Sequence, residues 1–401
     1  MGSAISSAYH VWKVIKGLKG DQSVLMVSHE CIKMGYEIKC IVCGKASASL
    51  LEYKCTGCGN PLGVKVEENF SERGIRKKCY GVWRYIKFFP YIKAKNIVSL
   101  GEGWTPLIRF SGNLQFKLES LNPTGSFKDR GSTVLISAIH REVKRLGGFI
   151  AEDSSGNAGA SIAAYAARAG IKAKIYVPES VSGPKLNQII SYSAEVVKVP
   201  GSRSRVAEEA QKPEKGKFYV GHILHPVFRD GIRSLAYEVA EQLKWRAPER
   251  IYLPVSAGTL LLGVISGFKH MTESGMIANM PKIVACQTSQ VSPLYHRFKG
   301  LPYHPLEKVI SVADALVSTN PPLLEVMAKE LMANGGDAVI VEEKEIVQAF
   351  HELARKGFFV EPSSAVAYAG YQKHLRNGET TRKEKIVVVL TGNGLKTSMK
   401  T

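Results

Sequence analysis

The stretch NPTGSFKDRGS, residues 122–132, sets a turn of Asn, Pro, Thr and Gly directly before a lysine, Lys128, and follows it with Asp129 and Arg130. A lysine that enters a helix behind a glycine-containing loop can be held in an apolar site that lowers the pKa of its amine, the state a Schiff-base lysine requires. Standing alone, a lysine at such a point is more often a solvated charge, so its meaning depends on the rest of the chain. Outward from this stretch, apolar β-rich runs such as GFIAED, AKIYVP, EVVKVP, RIYLPV, KIVACQ and KIVVVLTG alternate with helix-length amphipathic segments. That alternation predicts an α/β fold with mostly parallel sheets covered by helices.

Three strand ends carry small or hydroxyl residues: DSSGNAGAS (153–161), PVSAGTLLLG (254–263) and TGNGLK (391–396). In open α/β sheets, ligands collect at the carboxyl ends of the strands. PVSAGT follows a strand and precedes a helix, so the backbone N–H groups of Ser256, Ala257, Gly258 and Thr259 are placed to cradle a phosphate. The loop has neither the G-x-x-x-x-G-K-[ST] spacing of a nucleoside-triphosphate loop nor the G-x-G-x-x-G of a dinucleotide loop. A phosphate cradle, a lysine at a helix entrance and a Ser-Gly-Asn turn together suggest pyridoxal phosphate.

Four of the seven cysteines form two C-x-x-C pairs, Cys40 with Cys43 and Cys55 with Cys58, separated by eleven residues. Each pair closes a tight turn that presents two thiolates to one tetrahedral ion, and Gly44 and Gly59 suit such knuckles. With no His, Asp or Glu placed as an open-site ligand, the four-cysteine set reads as a closed, structural zinc site. Redox dithiols and disulfides are the competing readings, and two pairs in a chain without an export signal argue against both.

Composition narrows the class further. Lys plus Arg number 54 against 35 Asp plus Glu, a formal charge of +19. That excess suits nucleic acid, anionic metabolites or a solvated surface. Its clusters, ERGIRKKC and RNGETTRKEK, lack the interleaved aromatics of a nucleic-acid platform, so nucleic acid is not expected as a partner. There is no run of about 18 apolar residues and no clean cleavable signal, which makes a cytoplasmic protein with no membrane partner the expectation.

At this point the sequence resembles a known group: LGEGWTPL, NPTGSFKDRG, SSGNAGAS, EPSSA and TGNGLK occur in order behind the cysteine ribbon. The series is similar to threonine synthases of the archaeal type, which carry an N-terminal zinc ribbon and belong to the pyridoxal-phosphate enzymes with the tryptophan synthase β-subunit fold. The resemblance implies two open, mostly parallel sheet domains flanked by helices, known as fold type II, and a homodimer. It implies a lyase activity in threonine biosynthesis, the conversion of O-phospho-L-homoserine and water to threonine and phosphate. By resemblance, Lys128 carries the cofactor, Asn157 meets its phenolic oxygen and Thr391 faces its pyridine nitrogen. Ser154 and Ser155 would bind the substrate α-carboxylate. Glu361, ahead of a small-residue helix, reads either as a carboxylate supporting the ring or as an ordinary N-terminal helix acid.

The resemblance also implies where this chain departs. At three places where bacterial thermophile-type relatives use Asn, Ser and Arg to help bind the substrate phosphate stand His222, Ile223 and Phe228. A neutral Phe cannot pair with a dianion, and Arg229, one residue on, together with His222 and His225, is expected to compensate. Because these ligands differ, a serine or threonine deaminating lyase or a β-replacement synthase with the same cofactor stays open, as does, more remotely, a non-catalytic zinc-ribbon protein that binds nucleic acid. The expected organisation is an extension over 1–33, a zinc ribbon over 34–66 and a catalytic region over 67–401, with 135–215 a smaller mobile subdomain inside it.

Overall fold

The computed structural model describes residues 35–397, and the expected extension lies outside the described residues. The described residues begin with a two-stranded antiparallel ribbon, β1 (Tyr36–Cys40) and β2 (Leu62–Val66), in which Cys40 pairs with Leu62. Two parallel-type sheets follow. The larger has six strands in the order β11-β10-β9-β12-β4-β3: β3 (Leu107–Ser111), β4 (Leu114–Leu118), β9 (Arg250–Pro254), β10 (Lys282–Thr288), β11 (Asp337–Val341) and β12 (Ile386–Leu390). Only the β3–β4 pair is antiparallel. The smaller sheet is parallel throughout, in the order β7-β6-β5-β8: β5 (Phe149–Glu152), β6 (Ala173–Pro178), β7 (Glu195–Val199) and β8 (Lys217–Tyr219).

All six apolar runs picked out in the sequence are strands of these sheets. The reason is visible in β12, whose residues IVVVL are buried on every position. A strand covered on both faces has no solvent side to alternate with, so it reads as a continuous β-branched run. The covering helices are α1 (Lys128–Arg145), α2 (Asn157–Ala169), α3 (Pro184–Ser191), α4 (Arg203–Gln211), α5 (Pro226–Ile232), α6 (Ser234–Gln242), α7 (Thr259–Glu273), α8 (Pro293–Lys299), α9 (Leu324–Ala333), α10 (Glu343–Arg355) and α11 (Pro362–Arg376). The smaller sheet and the helices threaded through it, α2 to α4, occupy one continuous stretch of chain between β5 and β8.

Beneath the entrance of α1 lies a fully buried charge network. Arg130 donates to both oxygens of Glu119 (2.6 and 2.7 Å) and both oxygens of Glu238 (2.9 and 3.0 Å), while the Lys117 ammonium also bonds Glu238. None of these four side chains is exposed. Charges this deep persist only when each is paired and hydrogen-bonded, and the mesh fixes the first turn of α1 relative to β4 and α6. Asp129 pins the preceding turn, accepting from Thr124 N (2.7 Å) and from Ser161 Oγ of α2 (2.6 Å). The KDR triplet thus spends Asp129 and Arg130 on structure and leaves the Lys128 amine turned toward Thr259.

Candidate active site

The loops singled out in the sequence are stitched to one another. Phe127 N donates to Thr391 O (3.0 Å), Ser126 bridges Gly392, and Val360 bridges Asn393. The turn before Lys128, the loop before α11 and the loop after β12 therefore form one floor. Within it Thr391 Oγ1 lies 2.8 Å from Ser364 Oγ, and Gly392 N donates to the same Ser364 oxygen (2.7 Å). Gly392 is required by packing: a Cβ there would lie 1.8 Å from Glu361 Oε2.

Lys128 opens α1, its Nζ 3.2 Å from Thr259 Oγ1 and 4.6 Å from the centroid of the Phe127 ring. Burial lowers its pKa to about 8, opposed by the carboxylate of Glu152 and assisted by Arg203. An amine so placed is neutral in a useful fraction of molecules near neutral pH, the condition for a nucleophile and proton carrier. The loop Ser256–Ala257–Gly258 leads directly into α7, which opens at Thr259 with no side-chain cap on its first N–H groups. Gly258 takes φ +94°, a left-handed turn that closes the loop.

Asn157, the first residue of α2, donates from Nδ2 to Glu361 Oε2 (2.7 Å). Its Oδ1 is buried with no partner among the described residues, as is Ser126 Oγ. Glu361 in turn lies 2.8 Å from Lys185 Nζ, and Lys185 reaches Asp314 at 2.8 Å. Burial opposes a charge on Lys185, but these carboxylates prevail and raise its pKa. Sequence reading missed Lys185, which stands in SGPKLNQ with no motif around it, and weighed Glu361 only as one of two possibilities. In Ser154–Ser155–Gly156, Gly156 N donates to Ser154 Oγ (3.3 Å). Ser154 is buried and Ser155 partly open.

The residues at and beside the places of the family's phosphate ligands look different in three dimensions. Arg229 is not turned toward the cleft. Its guanidinium donates to Ile223 O (2.9 Å), Leu224 O (2.8 Å) and Leu62 O of the ribbon. The expectation that it stands in for the substrate-phosphate cation is therefore corrected: it is a tie between α5 and β2, because the ribbon offers it a carbonyl and the loop before α5 offers two more. Phe228 is fully buried, packed so closely on Gly131 that a Cβ there would meet its ring at 2.6 Å. Ile223 is partly buried against the apolar core. His222 alone of the three presents a polar group, held by Glu152.

In the ribbon, the sulfurs of Cys40, Cys43, Cys55 and Cys58 lie within 4.8 Å of one another. Their nearest separations are 3.4 Å (Cys43–Cys58), 3.5 Å (Cys40–Cys58) and 3.7 Å (Cys43–Cys55). A tetrahedron of thiolates around zinc, with Zn–S about 2.3 Å, has an edge of about 3.8 Å, so the set has nearly the size the ion needs. Val42 N and Cys43 N point at Cys40 Sγ, and Gly57 N points at Cys55 Sγ, as expected where backbone N–H groups stabilise thiolates. Among the described residues no helix is long and apolar enough to cross a membrane.

Comparison with known proteins agrees with this geometry. Residues 98–392 match the family model described as pyridoxal-phosphate dependent enzyme. The chain is 35% identical over 380 residues to a protein of Methanocaldococcus jannaschii named threonine synthase, covering 89% of this chain and 92% of that one. It is 31% identical to a threonine synthase of Methanosarcina acetivorans, covering 90% of this chain and 92% of that one. Among solved structures, the processed form of threonine deaminase isoform 2 from Solanum lycopersicum superposes with a TM-score of 0.63 at 22% identity, over 74% of this chain and 80% of that one. A fungal L-serine ammonia-lyase from Rhizomucor miehei superposes with a TM-score of 0.61 at 21% identity, over 72% and 93%. Their fold is the one described above. With a family model spanning most of the sequence and relatives aligned along nearly their full lengths, this chain belongs to the pyridoxal-phosphate dependent enzymes, in the branch whose members are named threonine synthase.

Proposed function

We propose that this protein is a threonine synthase that converts O-phospho-L-homoserine and water to L-threonine and phosphate. The observation that carries the reading is the 35% identity to a threonine synthase along 92% of that protein's length. Bound pyridoxal phosphate would supply an electron sink next to the amino-acid nitrogen. The residues present fit such a group: Asn157 carries a buried orphan oxygen, Lys128 has a lowered pKa and lies 3.2 Å from Thr259 at the entrance of α7, and Phe127 beside it is hydrogen-bonded to Thr391. In this reading Lys128 holds the cofactor and carries protons from its ε-nitrogen. The N–H groups of Ser256 to Thr259 take the cofactor phosphate. Glu361, held against Lys185, fixes the amide of Asn157 so that its second N–H is free for the phenolic oxygen.

A hydroxyl at Thr391 leaves the pyridine nitrogen largely neutral, so placement of protons by the protein carries more of the catalysis. Ser154, Ser155 and the turn at Gly156 take the substrate carboxylate. The cysteine cluster holds a structural zinc, the enzyme works as a homodimer, and it works in the cytoplasm. The test is to offer phosphohomoserine, phosphoserine, serine and threonine in parallel to the purified holoenzyme. Phosphate and threonine should appear from phosphohomoserine. Keto-acid from serine or threonine with no reaction of phosphohomoserine would replace this function by a deaminating one.

A further inference from the structure

The turn Ser154–Ser155–Gly156 is gripped from two directions. From one side α2 closes on it: a Cβ on Gly159 would lie 1.8 Å from Ser154 O, so helix and turn meet backbone to backbone. From the other, the residue just ahead of the turn, Asp153, is buried and accepts a hydrogen bond from Tyr219 Oη (2.8 Å). Arg203, half exposed, stands off from Asp153 at 3.8 Å, so the tyrosine hydroxyl is the nearer partner. Tyr219 ends β8, where it pairs with Ala151 of β5, and Gly221 leaves room for it: a Cβ there would meet Tyr219 Oη at 2.1 Å. Against the Tyr219 ring lies Tyr53 of the ribbon, with centroids 4.7 Å apart and ring planes at 71°. Such an edge-to-face pair fixes the direction of both rings. Tyr53 also lies with its Oη 3.4 Å from Gln211 Oε1 of α4. Just beyond it, the bridge between Lys54 and Pro61 and the bond from Cys55 N to Asn60 O (2.9 Å) hold the knuckle that carries Cys55 and Cys58.

We propose that Tyr219 and Tyr53 are positioning residues for the substrate α-carboxylate: the ribbon, through Tyr53, holds the Tyr219 ring, and the Tyr219 hydroxyl, through Asp153, sets the angle at which Ser154 and Ser155 present their donors. The inference rests on the reading above that places the substrate carboxylate on this turn. Both tyrosines act through Asp153. Hydrogen bonds weaken steeply once donor and acceptor swing out of line, so a small rotation at Asp153 loosens the carboxylate. Lys128 at the entrance of α1 and the loop entering α7 lie on other segments and keep their places. The ribbon thereby has a duty beyond its own fold. It is tied to α5 through Arg229 and Leu62, and it braces the smaller sheet through Tyr53.

The test compares an amino acid with an amine that has no carboxylate. L-threonine is titrated into the holoenzyme, and the shift of the cofactor absorbance band gives its half-saturating concentration; methoxyamine is added separately, and the rate at which it changes the same band is recorded. Tyr219→Phe keeps the ring and deletes only the hydroxyl. It should raise the half-saturating concentration of L-threonine about tenfold and leave the methoxyamine rate within about twofold. Asp153→Ala should do the same, and the double variant should lose no more than either single one, as expected of residues acting in series. Tyr53→Leu should weaken L-threonine about threefold, and Tyr53→Phe, which restores the ring, should bring it back. The cofactor band certifies folding in every variant, and Tyr53→Leu carries the comparison if Asp153→Ala does not fold. Equal losses for both probes in Tyr219→Phe, or no loss for either, overturn the proposal, as does a Tyr53→Leu enzyme that binds L-threonine like the wild type. The two failures are distinguishable. A wild type whose band answers methoxyamine but neither L-threonine nor phosphohomoserine removes the reading on which the inference rests, whereas phosphate release from phosphohomoserine with no selective loss in Tyr219→Phe removes the inference alone.

Discussion

Replacing Arg229 by Met separates a structural role from a substrate role, since Met keeps much of the stem and deletes the guanidinium. Arg229 is 8% exposed and donates to three backbone carbonyls. Hydrogen bonds from a charged donor contribute about 1.5–3 kcal/mol each, so roughly 6 kcal/mol is lost with the three. Against that, burial lowers the guanidinium pKa to about 10, well below its ordinary value. At about 1.36 kcal/mol per pH unit, this desolvation cost of roughly 3 kcal/mol disappears with the charge. The net loss is about 2–3 kcal/mol, centred on the seam between Leu62 of the ribbon and α5. Unfolding entropy of about 2.1 cal/mol/K per residue converts this to a fall in Tm of roughly 3–4 °C, if the chain unfolds as one unit. The assays are thermal unfolding and steady-state kinetics on phosphohomoserine. KM should stay within about twofold, since nothing that touches substrate has changed. A KM raised tenfold or more at an unchanged Tm would refute the reasoning and return Arg229 to the substrate site.

Lys128→Ala should abolish covalent capture of pyridoxal phosphate, read as loss of the imine absorbance, and lower turnover by several orders of magnitude; ordinary turnover would end the assignment. In the wild-type apoprotein the lysine must be neutral to react, and its pKa is lowered to about 8. The capture rate should therefore climb about tenfold per unit as pH rises toward about 8 and level off beyond it, whereas a rise continuing to about pH 10 would mean the amine is not buried when it reacts. Cys40→Ser combined with Cys43→Ser should remove bound zinc and lower stability while leaving the cofactor absorbance largely intact; metal analysis still giving one zinc per chain would sink the ribbon assignment. Arg130→Met leaves Glu119 and Glu238 as buried carboxylates short of a partner, and should cost about 3–5 kcal/mol in chemical denaturation. A loss under about 1 kcal/mol would show that the network relaxes or takes up protons.

How much of the site was legible depended on whether backbone or side chain carried the signal. Lys128, Asn157 and Thr259 open helices, and Ser256 to Gly258 and Thr391 follow strands, places where small residues and glycines mark the turn whatever surrounds it. The four cysteines were legible for the same reason, since a C-x-x-C knuckle is a local object. Side-chain direction was not. Arg229 and Phe228 are neighbours on one short helix, and their order says nothing about which faces the cleft. Leu62, 167 positions away from Arg229 in sequence, supplies a carbonyl that draws the guanidinium outward. Lys185 became visible only once α3 lay against Glu361 and Asp314.

The sequence by itself determined the class of the molecule. The continuous apolar runs marked strands, most of them covered by helices, and glycines and small residues marked the turns by local backbone geometry. Tertiary structure alone decided the electrostatics. Charge pairing acts over a few ångströms of space irrespective of separation along the chain, and burial acts through the whole surrounding volume. So the coupling of Glu152 to His222 across 70 positions, of Asn157 to Glu361 across 204, and of Arg229 to the ribbon exists only after the sheets and helices have closed around them.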